Sequence, residues 1–161
     1  MSWRIAESLG PTGRDGLLGE INASAPERSK ASDGGIGDPR HAARVSDHNP
    51  CRCCRVVCAR DFTHDPGGGF DAHAFAEWLR ERVLAGEARV RYVISDRRIY
   101  SGRGQNHPAG LWRKYTGSNP HTKHVHVSVR HGAGLYDDQK PWGWHLREET
   151  ATTTTPTTTG R

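Results

Sequence analysis

The chain has 161 residues, 34% of them hydrophobic, and a mean hydropathy of −0.79, which together predict a single small domain with a lean core. It contains no apolar run near the ~18 residues of a membrane-spanning helix, and its N-terminus lacks the apolar segment of a secretory signal. The net charge of +5 suits an anionic partner, but charge alone does not choose between nucleic acid, anionic lipid and an anionic wall polymer.

The first half of the chain predicts few regular elements. Residues 2–9 and 17–23 are expected to form short helices. Residues 24–50 are dominated by Ser, Gly, Asp, Pro and Arg and predict a long loop, which in a compact domain is often functional. A short strand is expected over 56–62, followed by a turn over 65–69.

The second half has clearer periodicity. Residues 72–85 predict a helix, with Asp71 as its N-cap and Gly86 at its C-terminal stop. Alternating apolar residues over 89–95 predict a strand, and residues 97–101 are placed to pair back with it.

The end of the chain differs in composition from the rest. Residues 150–161 are almost all Thr and include no large apolar residue that could be buried in a core. We interpret this segment as a linker or tail. The domain is therefore expected to occupy residues 1–149.

Four side chains form a pattern typical of a metal site. His124 and His126 lie two residues apart on a predicted strand over 124–129, so their imidazoles share one face. His48 ends the long polar loop, and Asp61 ends the strand that follows. Two histidines and one carboxylate, with a fourth position left to water, form a catalytic zinc set, in which zinc lowers the pKa of the water and polarises a carbonyl.

Each of these side chains also has an ordinary structural interpretation. A histidine in a loop is commonly solvated, and a lone carboxylate is commonly a surface or capping group. The remaining histidines are expected to be solvated: His41, His64, His73, His107, His131 and His145.

The four cysteines, Cys51, Cys53, Cys54 and Cys58, fall within eight residues. No disulfide can join distant segments, so a disulfide-framed secreted scaffold is excluded. We interpret the cysteines as free thiols that the chemistry does not need. A thiolate metal cluster and a local disulfide between Cys54 and Cys58 are the alternatives, although the spacing does not match paired C-x-x-C knuckles.

The order of the candidate residues resembles that of the LAS metallopeptidases, which include lysostaphin-type and D-Ala-D-Ala peptidases acting on peptidoglycan. As in that family, a Ser46-x-His48 motif is followed by Asp61 and then by a terminal His124-x-His126.

The wider context of these motifs carries the resemblance further. The segments 28–33, 46–50 and 119–128 are similar to peptidase domains of endolysins from phages of actinobacteria, and the resemblance spans roughly residues 2–130. It implies an α+β fold of the LAS or hedgehog-like type. Such a fold has a small antiparallel sheet, helices packed on one side and long loops.

The resemblance also assigns roles to particular residues. His48, Asp61 and His126 are implied to be the zinc ligands. His124 is implied to be a non-ligand imidazole beside the metal that stabilises the oxyanion of the tetrahedral intermediate. Ser46 is implied to support the His48 loop by hydrogen bonding.

The pairing of His48 with Asp61 departs from the family pattern. Thirteen positions separate the two residues, more than is usual, and the additional residues carry the cysteines. The loop must therefore bulge before the strand begins. Asp47 and Asp65 are the alternative carboxylate ligands.

Two catalytic roles stay open. Arg28 or Arg44 is expected to contact the scissile carbonyl or a substrate carboxylate. Several branches of the family place a carboxylate base before the last histidine pair, but residues 121–123 contain none. The base is therefore expected to be His121 or His124, unless the attacking water needs only outer-shell help.

The implied function is that of a phage endolysin zinc peptidase, which hydrolyses L-Ala-D-Glu, D-Ala-diaminopimelate or terminal D-Ala-D-Ala bonds of peptidoglycan to lyse the host. Its expected partners are stem peptides and anionic wall polymers, without nucleic acid or membrane insertion, and the chain is expected to be a monomer. The missing signal fits synthesis in the host cytoplasm and holin-mediated release to the wall.

Two other functions compete with this interpretation. A metal-dependent nuclease, of the HNH or His-hydrophobic-His type, would share the histidines and the positive charge. Against it, the cysteines form no paired knuckles, and Tyr136, which follows the histidine pair, lies among Gly and Asp and is not predicted to be helical. The second alternative is a non-catalytic wall-binding module.

Overall fold

The computed structural model describes residues 2–35, 46–51 and 54–144. Its strands are β1 (Arg4–Ile5), β2 (Val56–Val57), β3 (Ala59–Thr63), β4 (Val90–Ser95), β5 (Arg98–Ser101), β6 (Arg113–Lys114) and β7 (His124–Val129). Its helices are α1 (Gly16–Ser24), α2 (Ala72–Leu84) and α3 (Ala133–Tyr136), with 3-10 turns at Glu7–Leu9 and Pro66–Gly68. None of the described helices is long and apolar enough to cross a membrane.

One antiparallel sheet organises the domain. Its strands lie in the order β3-β7-β4-β5-β6, and each neighbouring pair is antiparallel. The predicted pairing of the strand over 89–95 with the segment that follows it is confirmed. β1 and β2 form a separate parallel pair. The architecture is that of a small α+β domain, as the sequence predicted.

The alternating sequence of β7 explains its place in the centre of the domain. Val125, Val127 and Val129 are fully buried in the same core as Phe75 and Leu79 of α2. Burial of each valine contributes roughly 1.5–3 kcal/mol, and a slip of one residue would expose all three. The core therefore fixes which face of the sheet carries the two histidines of this strand.

Helix α2 begins and ends close to its predicted limits. The Asp71 side chain accepts hydrogen bonds from the backbone N–H groups of His73 and Ala74, as an N-cap does. Gly86 has φ +118°, and its N–H donates to the carbonyl of Val83. A residue with a Cβ is strained in this left-handed region, which explains a glycine at the stop.

The helix predicted over 2–9 is wrong in its first half. Residues 4–5 are extended and pair with β2, and the N–H of Arg4 donates to the carbonyl of Arg55 at 3.2 Å. Only a 3-10 turn follows. Isolated helices this short are unstable, so pairing with a strand outweighs the local preference.

The strand predicted over 56–62 is divided in two at Cys58. The part before Cys58 pairs with β1, and the part after it pairs with β7. The N–H of Cys58 donates to the carbonyl of Asp47 at 3.2 Å, and the N–H of Val129 donates to the carbonyl of Cys58 at 2.8 Å. This break carries the chain from the small parallel pair into the main sheet.

The cysteines do not behave alike. Cys54 and Cys58 are free, which confirms the predicted thiols and excludes a disulfide between these two. Cys51 is disulfide-bonded, so the prediction of a free thiol is wrong there. Burial raises the pKa of the Cys58 thiol to about 12, which makes it a poor thiolate ligand at neutral pH. Cys53, and the predicted tail over 150–161, lie outside the described residues.

The start of the predicted long loop lies along the edge of β3. Gly34 and Asp61 form an antiparallel bridge, in which each N–H donates to the other residue's carbonyl, at 3.3 and 2.7 Å. Asp33 fastens the segment, because its Oδ1 accepts hydrogen bonds from the backbone N–H and the hydroxyl of Thr63 at 2.8 and 2.7 Å. Residues 33–35 therefore run as a short additional edge beside Asp61.

Arg28 belongs to this structural segment. Its guanidinium is fully buried, and all five of its N–H donors are engaged by Asp33, Asn22 and the carbonyl of Ser29. No donor is left for a substrate, which contradicts the expectation that Arg28 contacts one. Arg44, the other candidate for that role, lies outside the described residues.

Acid unfolding should report on the Arg28–Asp33 pair. Burial alone would raise the pKa of the Asp33 carboxyl, but hydrogen bonds from Arg28 and Thr63 hold that pKa below its usual value. Such a group adds stability above its unfolded pKa of about 3.9, and this stability is lost as the pH falls from that value through the lower pKa of the folded state. We expect the thermal midpoint to fall between about pH 5 and pH 3. Asp33→Asn leaves the buried guanidinium of Arg28 without its ion pair, so it should lose about 3–5 kcal/mol at pH 7 and respond less to acid.

A matched control is Asp96→Asn, which removes an exposed carboxylate paired with the exposed Arg97. Exposed pairs contribute little, so this variant should retain both the stability and the acid response of the wild type. Thermal denaturation followed by circular dichroism between pH 3 and pH 7 measures both quantities. An unchanged acid response in Asp33→Asn would show that this pair does not control acid stability.

Candidate metal centre

Three of the predicted ligands converge at one point. The distances are 3.0 Å between Nε2 of His48 and Nδ1 of His126, 3.1 Å between Nδ1 of His126 and Oδ1 of Asp61, and 3.3 Å between Nε2 of His48 and Oδ1 of Asp61. Asp61 and His126 are direct partners on the adjacent strands β3 and β7. The sheet therefore supplies two of the three groups, and the loop before β2 supplies the third.

The size and chemistry of this group fit a metal ion. Ligand atoms placed tetrahedrally at the usual zinc distances of about 2.0–2.1 Å lie about 3.3 Å from one another. The three donor atoms have nearly that spacing, and two imidazole nitrogens with one carboxylate oxygen are a common zinc donor set. His48, Asp61 and His126 are therefore able to hold a metal ion.

The outer nitrogen of each histidine has a partner that orients its ring. Nδ1 of His48 contacts the carbonyl oxygen of Gly35 at 3.2 Å, and Nε2 of His126 contacts the hydroxyl of Ser128 at 2.8 Å. The ring of Tyr92 stacks on His126 with a centroid distance of 5.3 Å and an angle of 12°. Partners of this kind fix the tautomer and direction of metal-binding histidines.

The long separation between His48 and Asp61 does not keep them apart, because the additional residues turn back on themselves. The N–H of Arg55 donates to the carbonyl of Cys51 at 2.7 Å, and the N–H of Cys51 donates to the carbonyl of Val56 at 3.0 Å. These bonds bring Cys51 back beside Arg55 and Val56. His48 thus reaches Asp61 as it would across a shorter loop.

Neighbouring side chains hold the His48 loop in place. The backbone N–H of His48 donates to Oγ of Ser46 at 3.3 Å, as expected for Ser46. Asp47 is buried and accepts hydrogen bonds from Nη1 of Arg91, at 2.5 and 2.6 Å, and contacts Nε2 of His131 at 3.1 Å. Asp47 therefore anchors the loop to β4 and is not part of the metal group.

Asp65, the other alternative ligand, has a separate structural role. Its carboxylate accepts hydrogen bonds from the backbone N–H groups of Ser29 and Gly68, at 2.8 and 3.1 Å. It caps a 3-10 turn and belongs to neither of the two possible metal groups among the described residues. Asp61 is the carboxylate that the fold delivers to His48.

The electrostatics of the site favour the ionised form of Asp61. Burial by itself would raise the pKa of this carboxyl, but hydrogen bonding and charge interaction with His126 and His48 hold that pKa well below its usual range. The same contacts with Asp61 outweigh burial at His48 and raise the pKa of its imidazole. The carboxylate is thus in the state that binds a cation.

His124 lies beside the three-residue group and contacts its carboxylate from the other side. Nε2 of His124 is 3.5 Å from Oδ2 of Asp61. Both ring nitrogens of His124 are buried without a hydrogen-bond partner among the described residues. Unsatisfied buried polar atoms are rare in folded proteins and often mark a functional group.

His121 completes a second group of side chains, with Asp61 and His124, that is compact enough for a metal ion. Its ring lies 4.9 Å from that of His124 and 5.7 Å from that of His126. Its Nδ1 lies 2.7 Å from the carbonyl of Asn119, which orients the ring. Burial and the nearby histidines lower the pKa of His121 to about 4, and burial lowers that of His124. Both imidazoles are therefore neutral at pH 7.

The remaining histidines are not all solvated. His107 and His131 are exposed, as predicted, although His131 contacts Asp47. His64 and His73 are only partly exposed, and their rings lie 4.2 Å apart. His73 contacts Oγ of Ser95 at 2.6 Å and the carbonyl of Thr122 at 3.3 Å, so it braces the turn before His124. His41 and His145 lie outside the described residues.

Sequence reasoning missed three groups that orient the ligands: Gly35, Tyr92 and Ser128. Ser128 was detectable, since it lies two residues after His126 on the same strand face. Tyr92 comes beside His126 only through the pairing of β4 with β7. Gly35 carries no side chain, and its role rests on a carbonyl that no sequence motif marks.

Comparison of the chain with models of known protein families, with curated proteins and with solved structures gives no match. The residues of the site and their geometry are therefore the basis on which a function can be assigned.

Proposed function

We propose that this protein is a zinc-dependent peptidase that hydrolyses peptide bonds of bacterial peptidoglycan, in the manner of a phage endolysin. One observation carries the proposal. The three-residue group of His48, Asp61 and His126 lies beside a buried imidazole, His124, which no described residue satisfies. Three protein ligands that leave the fourth position to water or substrate are typical of a catalytic zinc site.

The three ligand residues would hold zinc, which in such a site lowers the pKa of a water molecule and polarises a carbonyl. His124 supplies a second electrophilic group. Its ring N–H has no acceptor within the described part of the chain, so it is free to donate to the oxygen that becomes negative when a peptide carbonyl is attacked.

In the proposed reaction His121 moves the proton. Its Nδ1–H donates to the carbonyl of Asn119, 2.7 Å away, which leaves Nε2 as an acceptor on a ring that lies beside those of His124 and His126. In this role Nε2 takes a proton from the attacking water and passes it to the leaving amine. The φ of +54° at His121 is unusual for a residue with a side chain, and such strain is common at functional sites.

The charge pattern supports an anionic substrate. From Arg97 to Tyr136 the chain contains seven Lys or Arg residues and no Asp or Glu. This stretch includes β5, β6, β7 and the turn that carries His121. Stem-peptide carboxylates and wall phosphates are anionic, so electrostatic attraction favours their encounter with this side of the domain.

We propose that the protein reaches the wall from inside the host after release through a holin lesion.

Digestion of purified peptidoglycan by the zinc-loaded protein tests the proposal. We expect new amino and carboxyl termini in the released fragments, and mass spectrometry identifies which of the L-Ala-D-Glu, D-Ala-diaminopimelate or D-Ala-D-Ala bonds is cut. Removal of zinc by a chelator should stop the reaction, and restoring zinc should recover it.

The same preparation separates the two competing functions. A nuclease would nick plasmid or single-stranded DNA and leave the wall intact. A wall-binding module would sediment with the wall without releasing fragments and without needing zinc. Either result, together with intact stem peptides, would refute the peptidase proposal.

A further inference from the structure

One row of directly paired residues crosses the whole sheet on the side of the metal centre. The row runs from Asp61 on β3 through His126, Ile94 and Ile99 to Arg113 on β6. Direct partners in an antiparallel sheet point to the same face. Arg113 therefore lies on the sheet face that carries two of the metal-binding side chains, at the opposite end of the row.

The guanidinium of Arg113 has no acidic partner among the described residues. Nη2 donates to the hydroxyl of Ser101 at 2.9 Å, and Nε is buried without a hydrogen-bond partner in that part of the chain. The buried guanidinium of Arg28, by contrast, is paired with Asp33. An arginine with unused donors presents a planar fork that matches a carboxylate.

The surface between the two ends of the row suits an extended peptide. Ile99 supplies a partly exposed apolar side chain in the middle of the row, beside the buried Ile94. Tyr115 follows Arg113 by two residues, and its ring lies 5.4 Å from that of His121. Apolar surface with a few placed polar groups is typical of a ligand site.

From this arrangement we infer that Arg113 binds a carboxylate of the substrate two or three residues away from the bond that is cut. Three strand spacings of about 4.8 Å place the Cα atoms of Arg113 and His126 about 14 Å apart. The arginine side chain covers part of that distance, and an extended peptide advances about 3.3 Å per residue. This inference rests on the proposed function and specifies its substrate as an acidic peptide.

The neighbouring residue provides a matched control. Lys114 is exposed and carries the same charge, but it pairs with Arg98 and so points to the opposite face of the sheet. Arg113→Gln and Lys114→Gln remove one positive charge each from adjacent positions. A general electrostatic effect would appear in both variants, whereas a specific carboxylate site depends on Arg113 alone.

The experiment measures kcat and KM on the stem peptide L-Ala-D-Glu-diaminopimelate-D-Ala-D-Ala and on analogues in which single carboxylates are amides. For Arg113→Gln we expect KM on the acidic peptide to rise about 10- to 100-fold, as for loss of a hydrogen bond between charged groups, with kcat within about threefold. Amidation of the carboxylate that Arg113 binds should raise the wild-type KM to a similar extent. On that analogue, Arg113→Gln and the wild type should have the same KM. Lys114→Gln should stay within about twofold of the wild type on every peptide.

Calorimetric binding of the same peptides to the His124→Ala protein separates this inference from the proposed function. Weaker binding to Arg113→Gln/His124→Ala than to His124→Ala would support the carboxylate site. This conclusion would hold even if the wild type hydrolysed no peptide, and then only the proposed function would fail. Hydrolysis of every analogue with equal KM by wild type and Arg113→Gln would overturn the inference and leave the peptidase standing. Equal losses in Arg113→Gln and Lys114→Gln would also overturn it.

Discussion

His126→Ala is expected to lose zinc and peptide hydrolysis together. Nδ1 of His126 lies within 3.1 Å of both other donor atoms, so its removal leaves two ligands for the ion. Loss of a group that only orients a ligand typically costs 10- to 100-fold in metal affinity, and loss of a ligand should cost more than about 100-fold. Plasma emission after dialysis measures the zinc content, and release of peptidoglycan fragments measures the activity.

Three further variants make this result interpretable. His48→Ala removes a ligand from a loop, so it should lose zinc without disturbing the core if His126→Ala fails to fold. Ser128→Ala removes only the hydroxyl that contacts His126 and should weaken zinc binding to an intermediate extent. His107→Ala removes an exposed imidazole and should bind zinc as the wild type does. Stoichiometric zinc in folded His126→Ala would show that this ligand assignment is wrong and would favour the group with His121 and His124.

His124→Ala is expected to keep its zinc and fold but lose about 10²- to 10⁴-fold in kcat on peptidoglycan. His124 approaches Asp61 at Oδ2, 3.5 Å away, and is outside the group of His48, Asp61 and His126. Loss of one oxyanion donor or one acid–base group typically lowers the rate by such a factor. Parallel measurements of zinc content and turnover therefore separate a catalytic role from a ligand role.

His121→Ala distinguishes the two neutral imidazoles. A loss similar to that of His124→Ala would identify His121 as the proton carrier, whereas a much smaller loss would mean that it only shapes the turn. Loss of zinc in His124→Ala would show that the two histidines of β7 have exchanged roles. Full activity in His124→Ala would place the reaction elsewhere in the molecule.

Local patterns were sufficient for several parts of the structure. The alternation over 124–129 predicted both β7 and the shared face of its histidines, because side chains of a strand alternate by geometry alone. Asp71 and Gly86 marked the ends of α2, since capping depends on backbone groups within one turn. The segment over 2–9 was mispredicted because its state depends on a partner strand about fifty residues away.

The sequence by itself determined which residue types were available for a metal site and which strand face they share. Only the tertiary structure decided that the carboxylate beside His48 is Asp61 and is neither Asp47 nor Asp65. This choice depends on the turn closed by Cys51, Arg55 and Val56 and on the register of β3 against β7.

The tertiary structure also assigned Arg28 to a buried ion pair and placed Arg113 in the row of the metal ligands. The reason is the same in each case. Hydrophobic periodicity fixes which face a residue occupies, whereas the neighbour that it meets depends on strand register and loop closure, which bring together residues far apart in the chain.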